Sequence, residues 1–234
     1  MSTSTHERPV LYSYFRSSCS WRVRIALNLK KIDYEVRPIN LLKGEQRSEE
    51  YLKIQPSGFV PAFIDNKTGK TLIQSVSILE YIDETHPGHA LLPKDPIERA
   101  TVRSLVEAVA MDIQPVTNLR ILKYVGDEKR GEWAKHFLTE GFKGTTCTNC
   151  DNIDLVLKLA LEAMLEKTAG VYAFGDSITM ADLTIVPQVY NGVRFGVDMT
   201  AFPIISRINS TLSELPEFKA AHPSQQIDCP ADLR

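Results

Sequence analysis

Cysteine is scarce in this chain, with four thiols (Cys19, Cys147, Cys150 and Cys229) among 234 residues. So few cannot staple a chain of this length, which excludes a disulfide scaffold and makes a reducing, cytoplasmic setting the expectation. No apolar run reaches the roughly 20 residues that a membrane span requires. The opening Met1-Ser2-Thr3-Ser4-Thr5-His6-Glu7 lacks the apolar centre of a secretory signal. An excess of either charge is missing as well: 27 Lys and Arg stand against 29 Asp and Glu, for a net charge of −2. That balance offers no basic surface to nucleic acid or to an anionic membrane. Repeats and low-complexity tracts are absent too. The composition is that of an ordinary globular protein, long enough for one large domain or two smaller ones.

The first part of the chain reads as alternating strands and helices. Val10-Leu11-Tyr12-Ser13-Tyr14 has the alternation of a half-buried strand. Val23, Ala26, Leu27 and Lys30 follow at i, i+3, i+4 and i+7, with Ile25 and Leu29 widening the face, which predicts a helix over about 19–30. Residues 33–39 read as a second strand, and 43–53 as a short exposed helix or irregular segment. Pro56-Ser57-Gly58 is a turn, and Pro61 precedes a strand-like run, where a missing ladder donor is tolerated only at an edge, end or bulge. Asn66-Lys67-Thr68-Gly69 joins that run to Thr71-Leu72-Ile73 as a hairpin. A helix then opens at Gln74-Ser75 and ends at His86-Pro87-Gly88.

Residues 87–97 are rich in proline and read as a linker. Beyond it only helical patterns are found: 97–124 with a bend at Pro115, 128–143, 151–168, one from Thr179 continuing past Pro187, and one from Phe202-Pro203, followed by a polar tail. Thr179 and Asp182 have capping-box spacing, with Asp in place of Glu or Gln. The expected architecture is a small α/β domain over 1–88 and an all-helical domain over 97–234.

Ser17-Ser18-Cys19-Ser20-Trp21-Arg22-Val23-Arg24-Ile25-Ala26-Leu27 is where chemistry concentrates. A strand that passes through a polar turn into a helix leaves unpaired N–H groups and partial positive charge there. Such a place holds anions and lowers the pKa of a thiol, whether the protein's own or a ligand's. Taken alone, the serines read equally as a helix cap. Position 22 is Arg22, so the second cysteine of a Cys-x-x-Cys dithiol is missing. Cys147-x-x-Cys150 has no second Cys or His pair at zinc spacing and reads as a surface loop with two free thiols. His86-x-x-His89 straddles Pro-Gly in the linker and is equally weak as a metal site. No metal is expected.

The Ser17–Leu27 run, together with Val60-Pro61, Gln74-Ser75, Ile113-Gln114-Pro115, Thr179-Met180-Ala181-Asp182-Leu183 and Val186-Pro187-Gln188 followed by Arg194, resembles the zeta class of glutathione transferases over nearly the whole chain. The resemblance implies a thioredoxin-like N-terminal domain with a cis Pro61, an all-α C-terminal domain and a homodimer. It implies glutathione as cofactor and cis–trans isomerisation of maleylacetoacetate, a diketo diacid, in phenylalanine and tyrosine catabolism. In that reaction the glutathione thiolate adds to the double bond, the resulting single bond rotates, and the thiolate leaves. By match of position Ser17, Ser18 and Cys19 would serve the thiolate, with Ser20, Trp21 and Arg22 beside them. Val60 would present its backbone to the cysteinyl part, Gln74 and Ser75 would hold the γ-glutamyl group, and Gln46 the glycine end. Gln114 and Asn118 would border the site from the second domain. Arg194, with Arg16 as a second candidate, would bind substrate carboxylate. Each also has a plainer reading: Gln74 and Ser75 as helix-start residues, Gln114 as a partner for backbone freed by Pro115, Arg194 as a solvated surface charge. Gly58 and Phe59 stand where the class more often has polar residues. A general glutathione-conjugating or peroxide-reducing transferase, maleylpyruvate as substrate, and a catalytically silent ligand-carrying module are the rival readings.

Overall fold

The computed structural model describes residues 8–143 and 161–234 and divides into two compact units. One comprises the chain up to Leu91 together with Glu214–Arg234; the other is Leu92–Ser213.

In the first unit, β1 (Val10–Ser13), β2 (Glu35–Pro38), β3 (Ala62–Ile64) and β4 (Thr71–Ile73) form one sheet in the order β2-β1-β3-β4. β1 and β2 are parallel and are joined through α1 (Ser18–Leu29), because a parallel pair needs a crossover. β3 runs antiparallel to both β1 and β4. The β3–β4 hairpin closes on Asp65, whose carboxylate accepts from the Thr68 amide at 2.7 Å, while Gly69 supplies a φ of +66°. Pro38 ends the edge strand β2, and the Val60–Pro61 bond is cis, with Pro61 standing just before the central strand β3. Residues 43–53 become a 3-10 turn at Glu45–Arg47 and a short α2, Glu49–Ile54.

α1 is buried on nearly every side, a departure from the one apolar face expected of it. It packs against α3 (Ser75–Thr85) and against α10 (Pro216–Ala221), a helix where the sequence suggested only a polar tail. The tail thus belongs to the first unit and not to the helical domain over 97–234. The reason is chemical. Arg24 of α1 is wholly buried and donates from Nε to the Ala221 carbonyl at 3.1 Å, and Asn28 donates to the Glu217 carbonyl at 2.9 Å. Lys30 is buried as well, its Nζ 2.8 Å from Asp83 Oδ1 and 3.1 Å from the His86 carbonyl, which ties the end of α1 to the end of α3.

Among its described residues the second unit has no strand, only an isolated bridge between Ala169 and Gly175. The helical pattern over 97–124, expected to bend at Pro115, is broken there and altered before it. α4 (Pro96–Glu107) widens into a π segment, Ala108–Ile113; Pro115 then heads a 3-10 turn, and α5 (Leu119–Val125) restarts under an Asn118 cap. Pro115 thus marks a break and not a bend, since it has no N–H to continue the ladder. α6 (Arg130–Lys143) comes close to the π segment because Gly141 has no side chain: a Cβ there would lie 2.5 Å from Ile113 Cγ1. The pattern over 151–168 is described only from α7, Leu161–Thr168, and Cys147 and Cys150 lie outside the described residues.

α8 (Met180–Arg194) keeps Pro187 within it, is buried from Met180 to Val189, and packs against α4 and α9 (Pro203–Ser213). The expected capping residue is in place: Asp182 accepts from the Thr179 amide at 2.8 Å and from the Ala173 amide at 2.9 Å. Burial pushes the Asp182 carboxyl up to about 6, against the lowering effect of those hydrogen bonds. An acid raised above its unfolded value binds more protons folded than unfolded between the two values. Its contribution is therefore full below about 4 and lost as pH rises through 6, a span worth roughly 3 kcal/mol. Urea midpoints between pH 4 and 6 should fall along that slope in the native chain and flatten in Asp182→Asn; equal slopes would remove Asp182 as their source.

Candidate active site

The sheet register gathers the sequence-distant site segments. Ser13 pairs with Pro38, Tyr12 with Ala62, and Ala62 with Ile73. The turn after β1, the loop after β2, the Val60–Pro61 bond before β3 and Gln74-Ser75 after β4 therefore leave the sheet at the same end. Tyr14, Phe15, Tyr51 and Val60 share one apolar cluster beneath it.

Ser17 caps α1: its Oγ accepts from the Ser20 amide at 3.2 Å. A hydroxyl has one proton and two lone pairs, so capping engages an acceptor and leaves the Ser17 proton available to donate. The first-turn amides of Ser18 and Cys19 lie beyond reach of any intrahelical carbonyl, and no acidic side chain occupies the first turn of α1 or α3. Cys19 is a free, partly exposed thiol, whereas Ser18 is buried. Ser20 and Trp21 point their side chains inward, with Trp21 edge-on to His222 at 5.2 Å, which leaves only their main chain to face a ligand.

Arg22 is buried, and its Nη1 donates to Ser75 Oγ at 3.2 Å while Nε and Nη2 have no hydrogen-bond partner among the described residues. Burial lowers its pKa and the neighbouring Cys19 opposes that shift. A buried guanidinium without a carboxylate across from it creates positive potential under the N-termini of α1 and α3. Because Arg22 donates to the Ser75 oxygen, the Ser75 proton is directed away from it. Gln74 is exposed and holds φ +72°, a backbone conformation side-chain-bearing residues rarely adopt. Together these groups fit a carboxylate beside an α-amino acid skeleton and a thiolate next to Ser17, the chemistry of the glutathione γ-glutamyl and cysteinyl parts.

The Val60 segment is fixed by Tyr51, whose hydroxyl donates to the Phe59 carbonyl at 2.6 Å. Gly58, at φ +62°, lets the Gln46 turn close over it, for a Cβ there would lie 2.8 Å from the Gln46 carbonyl. Gln46 is thereby brought against Gly58, its buried Oε1 without a hydrogen-bond partner among the described residues.

Gln114, Asn118 and Arg194 belong to the helical unit. Gln114 follows the π segment, where its carbonyl accepts from the Thr117 amide. Asn118 Oδ1 accepts from the Arg120 amide at 3.1 Å as the α5 cap. Arg194 is exposed at the C-terminus of α8, its guanidinium 4.9 Å from the centre of the Phe195 ring. Arg16 lies 5.5 Å from the centre of the Phe15 ring, in the turn itself. No group of three or more metal-ligating side chains occurs among the described residues. Asp228, which the sequence reading did not single out, touches the turn directly: Oδ2 accepts from the Phe15 amide at 2.8 Å.

Residues 9–84 match the family model of the glutathione S-transferase N-terminal domain. A maleylacetoacetate isomerase of Mus musculus is 49% identical over 230 residues, covering 97% of this chain and 98% of the relative. The solved maleylacetoacetate isomerase of Anaeromyxobacter dehalogenans 2CP-1, with glutathione bound in its active site, superposes with a TM-score of 0.81 at 38% identity and covers 95% of this chain and 98% of that one. A bacterial zeta-class maleylpyruvate isomerase reaches 0.84 at 37% identity, covering 94% and 100%. By these identities over nearly its whole length, the chain belongs to the zeta class of glutathione transferases, the family of the maleylacetoacetate isomerases.

Proposed function

We propose that this protein converts maleylacetoacetate to fumarylacetoacetate with glutathione as a catalyst that is not consumed, as a cytoplasmic homodimer in phenylalanine and tyrosine breakdown. The observation that carries this reading is the Ser17 hydroxyl, which caps α1 through its oxygen and keeps its proton for a thiolate. When bound, glutathione supplies a sulfur nucleophile that adds reversibly to the substrate double bond, leaving a single bond about which the chain turns. Ser17 and the first-turn amides stabilise the negative sulfur and hold it at the substrate. Arg22, through Ser75, and Gln74 anchor the γ-glutamyl end, and Val60 offers its main chain to the cysteinyl amide. Arg194 takes a substrate carboxylate, for which a planar guanidinium is suited. Cys19 is an auxiliary to the thiolate and not the obligatory nucleophile.

Maleylpyruvate is the second reading, favoured by the likeness to the maleylpyruvate isomerase, and it follows the same chemistry. The test is isomerase turnover on both diketo acids by extensively dialysed enzyme, with and without glutathione. Activity should be absent without glutathione and return in full at a small fraction of the substrate concentration. Equal rates in its absence would refute a catalytic thiol cofactor, and a higher kcat/KM on maleylpyruvate would reassign the substrate.

A further inference from the structure

The turn that carries Ser17 is held from two sides at one residue. Phe15 has its amide bound by Asp228 Oδ2 at 2.8 Å and its carbonyl bound by Arg24 Nη2 at 2.9 Å. Arg24 also donates to Ser13 Oγ at 3.0 Å and to the Ala221 carbonyl at 3.1 Å. The guanidinium therefore links the end of β1, the turn and the tail, and the charge of Asp228 favours that of Arg24 across the Phe15 peptide. One hydrogen bond further along, the Ser17 amide donates to the Tyr14 carbonyl at 2.9 Å. Cys229, next to Asp228, is buried in the same apolar cluster as Tyr14, Phe15 and Val60, which fixes where the Asp228 carboxylate stands.

We infer that Asp228 is a positioning residue for the reaction: by holding the Phe15 amide opposite Arg24, the C-terminal tail sets the place of the Ser17 hydroxyl and of the first-turn amides that receive the thiolate. The inference rests on the glutathione reading given above. An amide in a turn that is not paired within the sheet has to find an acceptor or water. A carboxylate is the strongest acceptor a side chain offers it. Freed from that acceptor, the turn takes up alternative conformations, and displacement of a catalytic group by about 1 Å is enough to lose up to two orders of magnitude in rate.

The effect is read on the thiol itself. In Asp228→Ala the pKa of bound glutathione, followed by the ultraviolet absorbance of the thiolate, should rise by about one unit, and kcat at neutral pH should fall about tenfold. Asp228→Asn retains an oxygen for the Phe15 amide and should recover most of both. Asn28→Ala loosens the tail at Glu217 without touching Phe15 and should lower Tm while leaving the thiol pKa in place. Should Asp228→Ala not fold, Asp228→Ser, one atom too short to reach the amide, takes its role.

A thiol pKa that does not move in the Ala or Ser variant overturns the inference. So does an equal shift in Asn28→Ala, or an Asn variant no better than Ala, for then the tail only stabilises the fold. Failure of the wild-type enzyme to isomerise either diketo acid, with the thiol pKa still following this ranking, supports the inference and refutes only the substrate. Failure to bind glutathione at all refutes both.

Discussion

Ser17→Ala is expected to raise the thiol pKa of bound glutathione by about one to two units and to slow isomerisation about ten- to a hundredfold at neutral pH. These magnitudes follow from losing one hydroxyl donor to a charged acceptor, about 1.5–3 kcal/mol. Ser17 also caps α1, and its loss carries a separate stability effect of about 0.5–2 kcal/mol. The two are separable. Ser17→Gly preserves capping to within a few tenths of a kcal/mol and has no hydroxyl, so it should keep Tm and lose the rate. Ser17→Thr should keep both. Cys19→Ala should retain most of the activity, since a neighbouring thiol is a weak donor beside a hydroxyl. A reversed ranking in the pH–rate profiles would transfer thiolate activation from Ser17 to Cys19.

The second large effect is expected at Arg22. Its guanidinium is buried, carries unpartnered Nε and Nη2 groups, and touches Ser75 at the start of α3. A buried charge with no acidic countercharge beside it is destabilising to the free protein, and Met fills similar volume without that charge. Arg22→Met should therefore raise the Tm of the ligand-free protein while weakening glutathione about ten- to a hundredfold, the range for losing a charged group's contribution of about 1.5–3 kcal/mol. Opposite signs in the two measurements would be the mark of a residue held for binding at the expense of stability. Calorimetric titration beside a melting curve reads both; unchanged affinity would make Arg22 a packing residue.

Much of the site was legible because it is local. A strand, a hydroxyl-rich turn and a helical period follow one another over Val10–Leu29, and the Thr179–Asp182 spacing announced a cap that is present. The hairpin at Asn66–Gly69 was equally plain from its turn residues. What sequence could not deliver depends on distant backbone. The carbonyls of Ala221, Glu217 and Phe15 bind Arg24 and Asn28, and a carbonyl has no letter of its own. The tail therefore read as polar, although Pro216 at a helix start with Phe218 and Ala221 behind it was the available signal for α10. Arginine is seldom buried, and nothing in the local pattern marks Arg22 and Arg24 as interior; the cover from α3 and α10 encloses them. The π segment before Pro115 has no sequence period distinct from an ordinary helix, so only a bend at Pro115 was expected where the ladder widens and stops. The φ of Gln74 is likewise set by the loop it ends, not by its identity.

The return of residues 214–234 to the first unit makes that unit discontinuous in the chain, with Leu92–Ser213 inserted into it. Synthesis proceeds from the N-terminus, and domains generally form as units while the chain emerges. The strands β1 to β4 and the serine turn are therefore made well before Asp228 and the Ala221 carbonyl exist to bind Phe15 and Arg24. During that interval a cation destined for the interior has no tail to receive it, and the Ser17 turn lacks its contact with Asp228. Completion of the Ser17 turn is in this way deferred until after the whole helical unit has been made.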